Sequence, residues 1–169
     1  MRPCPGLAVG LAALCVGGCG GGQRSAATGA CAAAARAVIA AASGTPAARV
    51  AATAFVAPSG AAGCRFAARG VVPIAAVAGI DTAPQASVRF EREVVEYGQN
   101  VIWAHRGPSP YPRNIDGLGQ GADWFPAERR LLATDGGRLV EVTVTWPGAA
   151  AGRELRLAES IVRGYVARR

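Results

Sequence analysis

The stretch RLLATDGGRLVEVTVTW, running from Arg130 to Trp146, decides the fold. Arg130 to Thr134 reads as one strand and Asp135-Gly136-Gly137 as a turn. Arg138 to Trp146 then alternates, with Leu139, Glu141, Thr143 and Thr145 on one face and Val140, Val142, Val144 and Trp146 on the other. A period of two on either side of a glycine turn is the pattern of a β-hairpin with two distinct faces.

Downstream, Gly152 to Val166 places Leu155, Ala158, Ile161, Val162 and Tyr165 on one side of a helix, an amphipathic closing element. Upstream, Ala122-Asp123-Trp124-Phe125 reads as ordered. The segment before it, His105 to Gly121, holds Pro108, Pro110, Pro112 and four glycines and reads as loop. From Pro84 to Gly98 the pattern is helical, Val88, Val94, Val95 and Tyr97 being set among Arg89, Glu91, Arg92, Glu93 and Glu96, with Arg–Glu pairs on a solvated face. Arg49 to Ala57 fits helix or strand and is read as a strand because Val50, Thr53, Phe55 and Val56 precede the turn at Pro58-Ser59-Gly60; strands are also expected over Cys64 to Ala67 and over Val71 to Ala78. Pro73 marks the last of these as an edge or irregular strand. Ala30 to Ala42, preceded by a Thr28 cap and followed by Ser43-Gly44-Thr45-Pro46, reads as the first helix. The order helix, strands, helix, strands, helix predicts a single α+β domain. Its sheet is expected to be mainly antiparallel, with helices packed on one face and two loosely repeated α-β-β-β halves.

The chain of 169 residues opens with a positive charge at Arg2, followed by an uncharged apolar run from Leu7 to Gly18. This length suits the apolar region of a secretory signal and falls short of the roughly 20 apolar residues of a membrane-spanning helix. The run ends at Val16-Gly17-Gly18-Cys19, which resembles the bacterial lipobox, where a cysteine receives a diacylglyceryl group on sulfur before cleavage in front of it. Residues 1–18 are therefore expected to be a signal peptide, 19–28 a lipidated flexible tether and 29–169 the folded domain. The expected location is the extracytoplasmic face of the cell membrane. An ordinary cleaved signal with a chance cysteine is the alternative.

Half of the residues are apolar and 17% are charged, a globular composition. The net charge of +7 comes entirely from arginine, with no lysine anywhere. The arginines are scattered and form no recognisable nucleic-acid motif, so nucleic acid is not an expected partner. Cys4 and Cys15 would leave with the signal and Cys19 would carry lipid. Cys31 and Cys64 remain, and two cysteines in an exported domain read as one disulfide. A metal or reactive-thiol pair is the weaker reading, since neither sits in a Cys-x-x-Cys motif and His105 is the sole histidine.

Cys31, Cys64-Arg65-Phe66, the run from Gly117 to Trp124 and Leu157-Ala158-Glu159 occur in that order along the chain. Together with the lipobox, these motifs resemble the actinobacterial lipoproteins grouped as Domain of Unknown Function 3558. The resemblance implies an envelope lipoprotein and supplies no catalytic residue.

Catalysis finds little support in the residues. Ser43, Ser59, Ser87, Ser109 and Ser160 lie in no Gly-x-Ser-x-Gly elbow, and Asp116, Asp123 and Glu128 read as turn residues as readily as paired carboxylates. Gly117-Leu118-Gly119-Gln120-Gly121 lacks the flanking strand and helix of a phosphate loop and reads as a tight turn. The binding candidates are Trp103, His105, Arg106, Tyr111, Arg113 and Trp124, in and around the proline-rich loop, because Trp, Tyr and Arg dominate recognition surfaces. The opposing reading buries Trp103, Trp124 and Phe125 in the core and leaves only Tyr111 exposed. The expected function is a non-catalytic, membrane-tethered binding module with no cofactor or metal, its partner an envelope protein. A carrier or sensor of a lipid or other apolar ligand is the alternative, and an envelope hydrolase comes third.

Overall fold

The computed structural model describes residues 31–57, 61–70, 73–81, 86–104, 111–150 and 152–166. The expected signal peptide, Cys19 and the tether lie outside the described residues, as do His105 and Arg106. In chain order the elements are helix α1 (Ala33–Ser43), a single 3-10 turn (Ala47–Arg49), β1 (Ala51–Val56), β2 (Ala62–Ala68), β3 (Ile74–Asp81), α2 (Ala86–Ala104), β4 (Arg113–Asn114), β5 (Gly121–Phe125), β6 (Arg130–Asp135), β7 (Arg138–Thr145) and α3 (Arg153–Val166).

The seven strands form one sheet in the order β1-β2-β3-β7-β6-β5-β4, and every pairing is antiparallel. The hairpin of β6 and β7 turns through Gly136 and Gly137, whose φ values of 57° and 82° belong to a two-residue turn that side-chain-bearing residues enter at a cost. The chain thus folds as a single α+β domain. Each half runs helix then strands, and the two meanders meet where β3 pairs with β7.

One face of the sheet holds Cys64, Phe66, Ile74, Leu131, Val142 and Val144, covered by α1 and α3. Because α1 is nearly all alanine, it lies close against α3: a Cβ placed at Gly164 would stand 3.2 Å from the Ala34 side chain. Cys31, just ahead of α1, is joined to Cys64 on β2 with a Cα–Cα separation of 5.1 Å, which ties the start of the helical layer to the sheet.

The expectation that the helices share one face is corrected by α2. This helix lies on the opposite face, where Ala86, Phe90, Val94 and Tyr97 form one stripe over Phe125, Leu132 and Leu139. The physical reason is in the strands. Trp124-Phe125, Leu131-Leu132 and Leu139-Val140 are consecutive apolar pairs, and in a strand neighbours point to opposite faces, so both faces there must be covered. Four further expectations are adjusted. β3 is an interior strand between β2 and β7, since Pro73 precedes its first residue and removes no ladder hydrogen bond. α2 runs through Gly98 to Ala104. The expected loop contains the two-residue strand β4, and α1 begins at Ala33 after Ala32 rather than behind a Thr28 cap. Among the described residues no helix is long and apolar enough to cross a membrane.

Candidate functional site

Three of the residues singled out from the sequence come together. Pairing of β4 with β5 sets Arg113 opposite Trp124, and a cleft of about 490 Å³ opens there between Tyr111, Arg113, Trp124, Pro126 and the first turn of α3 at Glu154. Tyr111 is 57% exposed and Arg113 is exposed, whereas Trp124 is only 6% exposed and packs into the main core. The inward reading therefore holds for Trp124 and Phe125, while Tyr111 and Arg113 stand on the surface. Trp103 falls in the last turn of α2, and its side chain lies outside the described residues.

The cleft has a firm frame. The Ile115 amide donates to the Ala122 carbonyl at 2.8 Å and the Asn114 side chain donates to the same oxygen at 3.2 Å, so β4 is held against β5. On the other wall, the Glu154 carboxylate accepts the Trp146 amide at 3.0 Å and pairs with Arg129 at 3.4 Å, fastening α3 to the hairpin. The glycine run below is structural, as the tight-turn reading expects. Leu118 is buried, the Gln120 amide donates to the Thr134 carbonyl at 2.7 Å, and a Cβ at Gly119 would collide with that same carbonyl. Asp116, Asp123 and Glu128 face three different surroundings. Asp116 is exposed in that turn, Asp123 stands on the α2 face of β5, and Glu128 pairs with Arg130 at 2.6 Å. Glu128 and Asp116 line two separate pockets, and Asp123 lines neither of them. Among the described residues no three His, Cys, Asp or Glu side chains are grouped so as to hold a metal ion.

A second site has no counterpart in the residues singled out from the sequence. Among the described residues, α2 covers the sheet over β6 and β7 and no element covers the same face of β1 to β3. A cavity of about 200 Å³ lies at that boundary, walled by Phe55, Val77 and Leu139, with Asp81, Arg89 and Glu141 at its polar end. Gly63 and Gly79 face each other across β2 and β3 and form the floor.

The polar end belongs to an ionic network beneath α2. Arg89 pairs with Asp81 at 2.7 Å and Glu93 at 3.2 Å, while Arg130 pairs with Glu93 and with Glu128. Glu141 is held loosely, 3.9 Å from Arg89 and 3.7 Å from Arg130. Burial acts on both Glu93 and Glu141, and the outcome depends on what opposes it. Burial pushes the Glu93 carboxyl up, but its hydrogen bonds and charge pairing with Arg130 and Arg89 outweigh this and hold it below the usual carboxylate range. Burial pushes the Glu141 carboxyl up, and its distant arginines do not compensate. Burial alone raises the Asp123 carboxyl.

These opposite directions predict opposite mutant effects. A carboxyl with a lowered folded pKa contributes stability that is present above the unfolded value of about 4.3 and lost as pH falls through the folded value. Glu93→Gln is therefore expected to lower stability by about 1–3 kcal/mol near neutral pH, a loss that shrinks under acid. For Glu141 the sign reverses: ionisation costs the folded state, and the cost develops as pH rises through the raised folded pKa. Glu141→Gln is expected to leave stability unchanged or slightly higher at neutral pH. Urea denaturation of both variants at neutral and acid pH checks this, and equal losses for the two would overturn the assignment.

Comparison with protein-family models, with curated proteins and with solved structures returned no match for this chain.

Proposed function

We propose that this protein is a non-catalytic binding module held on the extracytoplasmic face of a cell membrane by lipid on Cys19, and that it engages an envelope protein through the Tyr111–Arg113 cleft. The observation that carries the binding part is the convergence of an exposed tyrosine and an exposed arginine over a buried tryptophan on a rigid frame. Such a combination offers a large amphipathic contact area with little entropy to lose on association. The anchoring part rests on Val16-Gly17-Gly18-Cys19, which resembles a lipobox, and on a motif order that resembles that of the actinobacterial lipoproteins. The carrier reading has less support. A pocket for a lipid chain is expected to enclose roughly 300 Å³ or more of apolar space; the cavity on the open half of the sheet has about 200 Å³, and the larger groove of about 420 Å³ beside Val38, Trp146 and Leu157 lies open along the surface.

Two measurements test the proposal. Intact mass of the protein taken from its native membrane is expected to match residues 19–169 plus acyl groups; an unacylated mass would remove the anchor. Labelled protein is then expected to bind envelope fractions saturably and to be displaced by unlabelled protein. The double variant Tyr111→Ala, Arg113→Glu is expected to displace it at least about 100-fold less well, as for loss of an interface hot spot. Equal displacement by the variant would rule out the cleft.

A further inference from the structure

We propose that the cavity on the open half of the sheet binds a small organic ammonium ion, an apolar body the size of a benzyl group carrying a protonated primary amine. This inference is independent of the Tyr111 cleft.

Size comes first. An apolar cavity of roughly 150 Å³ accommodates benzene, so about 200 Å³ leaves room for a ring and one head group. The open space lies over Gly79. Phe55 lays its ring where a Cβ on Gly63 would be, while a Cβ on Gly79 would meet no atom within 4 Å. Phe55, Val77 and Leu139 then offer carbon to the body of the ligand.

Charge decides the head group. Of the side chains lining the cavity, two carboxylates, Asp81 and Glu141, stand against one guanidinium, Arg89. Through Arg130 the network widens to four carboxylates and two guanidiniums, leaving a net charge of two negative. Arg89 is already engaged by Asp81 and Glu93 at close range, and Arg130 by Glu93 and Glu128. Glu141, more than 3.5 Å from both arginines, is the carboxylate with the most to gain from a new donor. An ammonium there would supply hydrogen bonds and the missing positive charge, whereas an anionic head would face Asp81 and Glu141 and be repelled. Burial of Glu141 acts in the same sense, since the ionised carboxyl lacks adequate compensation until a cation arrives. Arg65 places its guanidinium 4.7 Å from the centre of the Phe55 ring but does not line the cavity.

The test uses the full-length, oxidised, isotope-labelled protein and three probes of one shape: benzylammonium, benzyl alcohol and benzoate, at matched ionic strength. Benzylammonium is expected to shift the amide resonances of Gly63 and Gly79 saturably, with a dissociation constant of about millimolar order for so small a ligand. Benzyl alcohol is expected to bind about tenfold more weakly and benzoate not at all. Glu141→Gln keeps the shape and is expected to erase the preference of ammonium over alcohol. Gly79→Val, whose Cβ would meet no atom within 4 Å, places a side chain on the floor and is expected to abolish the Gly63 shift while the rest of the spectrum stays native. Equal affinity for all three probes, shifts that survive Gly79→Val, or no saturable shift with benzylammonium would each overturn the proposal.

Discussion

Replacing both Cys31 and Cys64 with alanine is expected to lower the unfolding free energy by about 4 kcal/mol, as estimated from the chain entropy released when a loop of this length is no longer closed. That is a large share of the roughly 5–15 kcal/mol that stabilises an ordinary domain. The loss acts mostly on the unfolded chain, so a second signature accompanies it. Without the cross-link the unfolded ensemble expands and exposes more surface, and the denaturant slope is expected to rise. Cys64 is fully buried beneath the helical layer, so the double alanine variant also leaves a small void in the main core. Denaturation of the oxidised wild type, the reduced wild type and the variant separates these contributions. Midpoints and slopes that coincide in all three would show that the bond restrains nothing of consequence.

Phe125→Ala is expected to cost about 3–5 kcal/mol, the range for deleting a large aromatic side chain from a packed core. Phe125 is fully buried on the α2 face, and two side chains pack on its ring. Tyr97 meets it edge-on at 4.7 Å, Arg130 stacks 4.8 Å from its centre, and the Tyr97 hydroxyl in turn accepts the Ala127 amide at 3.2 Å. The damage should be local. Amide exchange is expected to accelerate across α2 while α1 and α3, which pack on the other face, keep their protection relative to the new global stability. Uniform acceleration of all three helices would mean that the two faces unfold as one unit.

Much of this architecture was legible in the residues, and the parts that were not have identifiable causes. The β6–β7 hairpin and α3 announce themselves because each repeats one strong period and is bounded by glycine. The interior position of β3 was hidden by Pro73, since a proline one place before a strand looks in sequence like a proline within it. The placement of α2 was available in Leu131-Leu132 and Leu139-Val140, but only by counting both faces of each strand rather than seeking alternation alone. In the cleft, the exposure of Tyr111 and the burial of Trp124 follow from ordinary rules for loops and strands. The open-face cavity could not be read in advance. It depends on register and on the docking of α2, which set Gly63 against Gly79 and bring Glu141 near Arg89, far away in sequence.

The bond between Cys31 and Cys64 also fixes how the domain takes a mechanical load. A pull on the leading segment arrives at Cys31 and passes directly into β2, a strand laddered on both sides, without travelling along α1. A force applied ahead of Cys31 would therefore bypass the alanine-rich helix and be borne by the sheet. Reduction reroutes the same force through α1 and the turn at Gly44, so that the helix peels before the sheet feels the pull.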